Sequence, residues 1–208
     1  MTERDRLTRK QRQEHTRHCL LEAAARVFAR RGLVQASVDE VAADAGFTKG
    51  AVYANFGSKE ELFLEMLDVR FAQRLAEMDR ALSTDEPPEA QARAAALDFV
   101  HYLSGDPEWA RLFFEAALYA SRDDAFREKL QSSYRAMRER MAQLLQERAE
   151  ESGFDPGVPF DQLAAMVSAM ANGVAFERFV DPDAVPDDLF ASMLELFTLG
   201  ATRRQPRP

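Results

Sequence analysis

Between residues 36 and 63 the sequence gathers polar groups suited to holding a polyanion. Hydroxyls at Ser37, Thr48 and Tyr53 and the Lys59 ammonium are donors of the kind that meet phosphate oxygens. Ser58 and Lys59 also sit where a helix begins, and free amides with the helix dipole favour a phosphate there. Lys49 and Asn55 have the length and polarity to reach base edges, while Gly50, Ala51 and Ala54 are small enough to let a helix approach closely. This is the chemistry of binding and not of bond making. No serine or cysteine stands in a nucleophile motif, and no glycine-rich loop has phosphate-cradle spacing. His15, His18 and Glu22 recur about one turn apart, a spacing open to a metal, though a solvated helix face is the better reading. Cys19 reads as a small helical residue beside Leu20. We therefore expect no catalytic residue, no metal and no cofactor.

Those donors need short, well-stopped helices to hold them. Ser37 with Glu40 forms a capping box that opens one helix, roughly 38–45, whose inner face is Val38, Val41 and Ala42. Gly46 suits the left-handed turn that ends it. Thr48 caps a second helix, roughly 49–55, with Val52 and Phe56 inward and Phe47 at the turn. Ser58 with Glu61 is a second capping box, opening a long helix over about 59–82 with an apolar stripe at Phe63, Leu67, Phe71, Leu75, Met78 and Leu82. A tight glycine turn between two short helices with apolar inner faces reads as a helix-turn-helix. A plain surface hairpin of helices is the alternative.

The rest of the chain is helical too. Alternating β-branched runs are absent, and a first helix reads at about 12–31, with Leu20, Ala24, Val27 and Phe28 on one face and Gly32 as its stop. After a break at 83–88, further helices read at about 89–103, 107–120, 124–150, 160–180 and 187–201, with Asp106-Pro107 a typical helix start. Trp109, Phe113, Tyr119, Tyr134, Met137, Met141, Met166 and Met170 are adaptable apolar walls with occasional polar handles. They are candidates for a ligand cavity or for ordinary core; few charges fall among them, so a ligand would be apolar or amphipathic. The last two helices are apolar around most of their circumference. Val174, Phe179, Leu189, Phe190, Met193, Leu194 and Phe197 are thus candidates for a two-fold interface, or else for monomer core.

Charge divides the chain as the motifs do. The net charge is −8, yet residues 1–60 carry 11 Lys/Arg against 8 Asp/Glu and the remainder is strongly acidic, the asymmetry of a polyanion-binding head on an acidic body. The N-terminus lacks an apolar signal core, one cysteine forbids an internal disulfide, and no run approaches about 18 consecutive apolar residues. A cytoplasmic protein with no membrane partner is expected.

The run Phe47-Thr48-Lys49-Gly50-Ala51-Val52-Tyr53-Ala54-Asn55-Phe56-Gly57-Ser58-Lys59-Glu60-Glu61-Leu62 closely resembles the recognition-helix signature of the TetR family of repressors. Ala24 to Phe28, Gly32 and Val41-Ala42-Ala43-Asp44-Ala45-Gly46 resemble the rest of that family's DNA-binding domain, so the likeness covers about residues 14–65. The resemblance implies a homodimer on a double-stranded DNA operator, a fold of about nine helices, and release by an unknown small-molecule effector held in the C-terminal part. By position it makes Ser37, Thr48, Tyr53 and Lys59 phosphate contacts, and Lys49, Gly50 and Asn55 base-facing; Asn55 stands where His or Tyr is commoner. The expected architecture is all-α: a mobile basic arm at 1–10, a three-helix helix-turn-helix domain at 11–57, and a ligand-sensing and dimerisation domain at 58–208. Helix 58–82 links the two. The alternative is a DNA-binding or interaction protein of the same fold without a small-molecule ligand.

Overall fold

The computed structural model describes residues 8–105 and 107–204, and the ordered elements among them are nine α-helices. They are α1 (Arg9–Gln35), α2 (Val38–Ala45), α3 (Lys49–Asn55), α4 (Lys59–Leu82), α5 (Pro88–Gly105), α6 (Pro107–Ala120), α7 (Asp124–Ser152), α8 (Phe160–Val180) and α9 (Leu189–Arg204). The arm expected at 1–10 falls outside the described residues up to position 7. Residues 9 and 10 are already helical, because Thr8 and Gln11 form a capping box that periodicity alone did not disclose. Asp106, expected to cap α6, also lies outside the described residues.

Two glycines shape the N-terminal head. Gly46 is left-handed (φ 73°, ψ 26°), and Phe47 N–H donates to the Ala42 carbonyl across it at 2.9 Å, closing α2 in a Schellman turn. Gly32 breaks α1 with φ 77° and ψ 168°, a conformation open essentially to glycine alone. Beyond the break the chain runs on in a short helical turn to Gln35, so the expected stop is a kink followed by one more turn.

The break is fastened from outside. Arg111 of α6 donates to the Ala29 carbonyl, and Glu115, one turn on, accepts from Val34 N–H at 3.1 Å. Packing joins the same parts. One core runs without interruption from Leu20, Val27 and Phe28 through Val41, Val52 and Phe56 to Leu62, Phe63 and Leu67 of α4, then to Leu112 and Phe126 in α6 and α7. Phe63 stands edge-on to Phe28 at 5.1 Å and lies 6.3 Å from Phe126, which meets Tyr119 at 4.9 Å. A second core joins α5, α8 and α9 through Ala96, Val100, Val174, Phe190 and Leu194. α8 has the length and mean hydropathy (1.2) of a membrane span. It carries Asp161, Glu177 and Arg178 near its ends and packs against α7, α6 and α9.

Candidate functional site

α3 turns Val52 into the core and ends at the equally buried Phe56, leaving Thr48, Lys49, Gly50, Tyr53 and Ala54 exposed on its other side. Thr48 Oγ1 accepts from Ala51 N–H at 3.2 Å, so its own proton remains for an outside acceptor. Tyr53 is half exposed. Lys49 Nζ reaches back to Asp39 of α2 at 2.9 Å, and that carboxylate raises the lysine pKa above its ordinary value. Gly50 would carry a Cβ into nearly open space, with only Thr48 Oγ1 nearby, at 3.8 Å.

Other expected contacts are engaged within the fold. Asn55 was expected to face bases; instead its Nδ2 donates to the Ala51 carbonyl at 2.8 Å and its Oδ1 is buried. Asn55 is the last residue of α3, and Arg17, stacked over the Phe56 ring at 4.6 Å, donates to the Asn55 backbone carbonyl at 2.9 Å. Lys59 Nζ donates to the Val34 and Ala36 carbonyls, both at 3.1 Å, placing a cation at the C-terminal end of α1. Ser37 is half-buried, and its hydroxyl both accepts from Glu40 N–H and donates to the Glu40 carboxylate. Ser58 caps α4, accepting from Glu61 N–H at 3.1 Å. The reciprocal half of that box is displaced by one residue, since Glu61 accepts from Gly57 N–H.

Ion pairs lock α1 to α2 behind this surface. Arg26 and Arg30 both meet Asp44, at 2.7 and 2.9 Å, and Arg31 lies 3.2 Å from Glu40. The hydrogen bonds from Arg30 and Arg26 hold the Asp44 pKa below its ordinary 3.8, and those from Ser37 hold Glu40 below 4.5. A depressed carboxylate pKa stabilises the fold fully above the unfolded value and progressively less as pH falls through the folded one. Acidification from about pH 5 to pH 3 should therefore lower the urea midpoint of the wild type more than that of Asp44→Asn. Equal losses in the two proteins would show that Asp44 is not a source of the acid sensitivity.

A cavity of about 140 Å3 lies between α4, α5, α6, α7, α8 and α9 in the body. Five sequence candidates line it: Trp109, Phe113, Tyr134, Met137 and Met141. Three do not. Tyr119 stands edge-on to Phe126 in the core beside the head, where burial raises its phenol pKa; Met170 packs on the α5–α8–α9 core, and Met166 lies on α8 away from the lining. Sequence reasoning missed the polar groups Arg74, Ser168 and Asn172. Arg74 was within reach of it, standing three residues after Phe71 and four before Met78 on the same apolar stripe. Asn172 donates to the Tyr134 hydroxyl at 2.6 Å across the lining.

The interface candidates fall into buried, partly buried and exposed sets. Val174, Phe190 and Leu194 are buried within the monomer, packed against α5, and Leu189 and Met193 lie partly buried beside them. Phe197 lines a smaller adjoining cavity. Of those seven, Phe179 alone is exposed, at 53%, and it shares the surface with Phe176, Val180, Leu196 and Leu199. The apolar circumference of the two helices is thus split between an inward face, on α7 and α6 for α8 and on α5 for α9, and an outward one.

The family described as Bacterial regulatory proteins, tetR family, matches residues 20–66, and that described as BetI-type transcriptional repressor, C-terminal, matches residues 88–198. The chain is 27% identical over 163 residues to the HTH-type transcriptional regulator YfiR of Bacillus subtilis, covering 74% of this chain and 76% of the relative. It is 29% identical over 161 residues to the HTH-type transcriptional repressor SCO4008 of Streptomyces coelicolor, covering 76% and 78%. Among solved structures, a protein described as a TetR-family transcriptional regulator from Rhodococcus sp. superposes with a TM-score of 0.74 at 18% identity, covering 90% of this chain and 98% of that one. The regulator FadR from Bacillus subtilis, solved in complex with stearoyl-CoA, superposes with a TM-score of 0.68 at 19% identity, covering 88% and 98%.

Proposed function

The chain belongs to the TetR family of bacterial transcriptional regulators, and from that premise we propose that it is a dimeric repressor released from its operator by a small molecule. The observation that carries the proposal is α3, whose outward face is small, polar and open. In this reading each subunit lays α3 in a major groove, so the operator is a pseudo-palindrome with half-sites about 34–36 Å apart or a multiple of that. Thr48 and Tyr53 take phosphates and Lys49 reads bases after exchanging Asp39 for DNA. Gly50 allows the close approach. The exposed apolar residues of α8 and α9, Phe176, Phe179, Val180, Leu196 and Leu199, meet their copies in the second subunit.

α4 supports the coupling between sites. It begins at the head with Ser58 and Lys59 and passes the cavity with Phe71, Arg74, Leu75 and Met78. A ligand that fits the cavity better in one head spacing than in the other shifts the protein toward that spacing. Repression, in preference to activation, is supported by the match of residues 88–198 to a family described as repressors. The head at 11–57 and the body at 58–208 are its functional parts; it has no catalytic step and acts in the cytoplasm.

The direct experiment is titration of the protein against its own upstream DNA with footprinting at two salt concentrations. A protected pseudo-palindrome with salt-dependent affinity is expected, and binding without sequence preference would refute the reading. Two substitutions separate roles. Tyr53→Phe should weaken every operator variant by a similar factor, since a phosphate contact carries no base information. Lys59→Met removes two bonds to the end of α1 and should cost about 1–2 kcal/mol of stability, read from urea unfolding.

A further inference from the structure

We infer that the molecule admitted to the body cavity is an apolar carboxylate whose charged end is met by Arg74, an inference that rests on reading this cavity as the effector site. Among the described residues that line the cavity, Arg74 carries the one formal charge; the rest are aliphatic, aromatic, methionine, Ser168 and the Tyr134–Asn172 pair. The guanidinium is held in place, stacked over the Tyr102 ring at 4.3 Å and beside Phe99 at 5.7 Å, with Nη1 paired to Glu77. Glu77 does not line the cavity. The Arg74 Nε–H is buried and donates to no protein acceptor.

A buried donor left unpaired is costly, and a buried carboxylate without a partner is costlier still. Each removes the other's penalty when a small turn of the side chain opens the guanidinium edge to a carboxylate oxygen, a geometry that arginine provides and lysine does not. An ammonium would find no carboxylate in the lining to pair with, and its donors would face the donors of Arg74. A neutral apolar molecule would leave Nε as it is. Two bodies could carry the carboxylate. A single aromatic ring suits the volume, since a cavity of about 150 Å3 accommodates benzene, and the surrounding rings of Phe71, Phe113 and Trp109 offer edge-to-face contacts. An alkyl chain would instead pass Met78 and Leu194 into the adjoining cavity of about 90 Å3, whose lining shares those residues.

The test is calorimetric titration of the full-length protein with benzoate and with decanoate, each beside its methyl ester and the matching amine, with operator occupancy followed in parallel. The acid should bind at least tenfold more tightly than its ester, and the amine should not bind. Arg74→Gln should lower acid affinity about ten- to a hundredfold while leaving the ester unchanged, and Arg74→Lys should recover part of the loss. Benzoate alone binding assigns the ligand to the single cavity, and decanoate alone binding assigns it to both. Esters that bind as well as acids, acids indifferent to Arg74→Gln, or no acid binding at all would overturn the inference. The underlying reading fails separately. Acid held through Arg74 without any change in operator occupancy would sink the effector role and leave the ligand class standing, whereas an ester that releases operator would do the reverse.

Discussion

Gly50→Leu is expected to lower operator affinity by about a hundredfold while the protein folds as before. At position 50 an added Cβ meets only Thr48 Oγ1, at 3.8 Å, and the position lies on the exposed side of α3, so a side chain there can extend outward. Alanine should even raise stability by up to about 1 kcal/mol, because glycine is the poorer helix former. The cost arises only against DNA. A branched side chain in the first turn of α3, on its outward face, holds the helix off the groove floor, and every base edge it can no longer reach costs about 1–3 kcal/mol. Unfolding curves and operator titrations on the alanine and leucine variants measure the two effects separately. Unchanged operator affinity in Gly50→Leu would mean that another face of the head meets DNA.

Gly32→Ala should act in the opposite way, lowering stability by about 2–4 kcal/mol. The backbone at φ 77° and ψ 168° lies where a side chain is strained whatever the space around it. An added Cβ would also fall 2.5 Å from Glu115 Oε2. The carboxylate can swing aside, but it then gives up its bond from Val34 N–H, so relief of the clash loosens the α6 anchor on α1. Glu115→Gln, which keeps an acceptor at that position, should cost less than half as much. Wild-type stability in Gly32→Ala would show that the break in α1 is not held as described.

The helices were legible because their signals are local. Ser37, Thr48 and Ser58 as caps, Gly46 as a left-handed stop and the Pro87-Pro88 break each act within four residues of the boundary they set. The start of α1 was misplaced because Thr8 and Gln11 lie ahead of any apolar stripe. The candidate site was legible in part. Residue type identified Thr48, Lys49, Gly50 and Tyr53 as a polar, open set, but not the use of Asn55 and Lys59, whose partners at Ala51, Val34 and Ala36 depend on how the helices are arranged. In the body, periodicity told apolar from polar without telling which of two neighbours an apolar side chain faces. Leu194 and Leu196 are alike in sequence, yet one is buried on α5 and the other is 71% exposed. Arg74 shows the reverse limit: a charge on an apolar stripe is easily set aside as a snorkelling surface residue.

The unbroken packing from Leu20 to Phe126 decides how such a protein could be recombined. A chimera that joined this head to a foreign body at residue 57 would strip Phe28 of Phe63 and leave Ala29 and Val34 without Arg111 and Glu115. The seam must instead follow the contact surface, carrying Leu62, Phe63, Met66 and Leu67 with the head and supplying α6 from the same parent. What can be moved alone is the outward face of α3. Operator specificity is therefore exchangeable by rewriting a few exposed residues, whereas transplanting the head as a segment would strip it of the contacts that α4 and α6 supply.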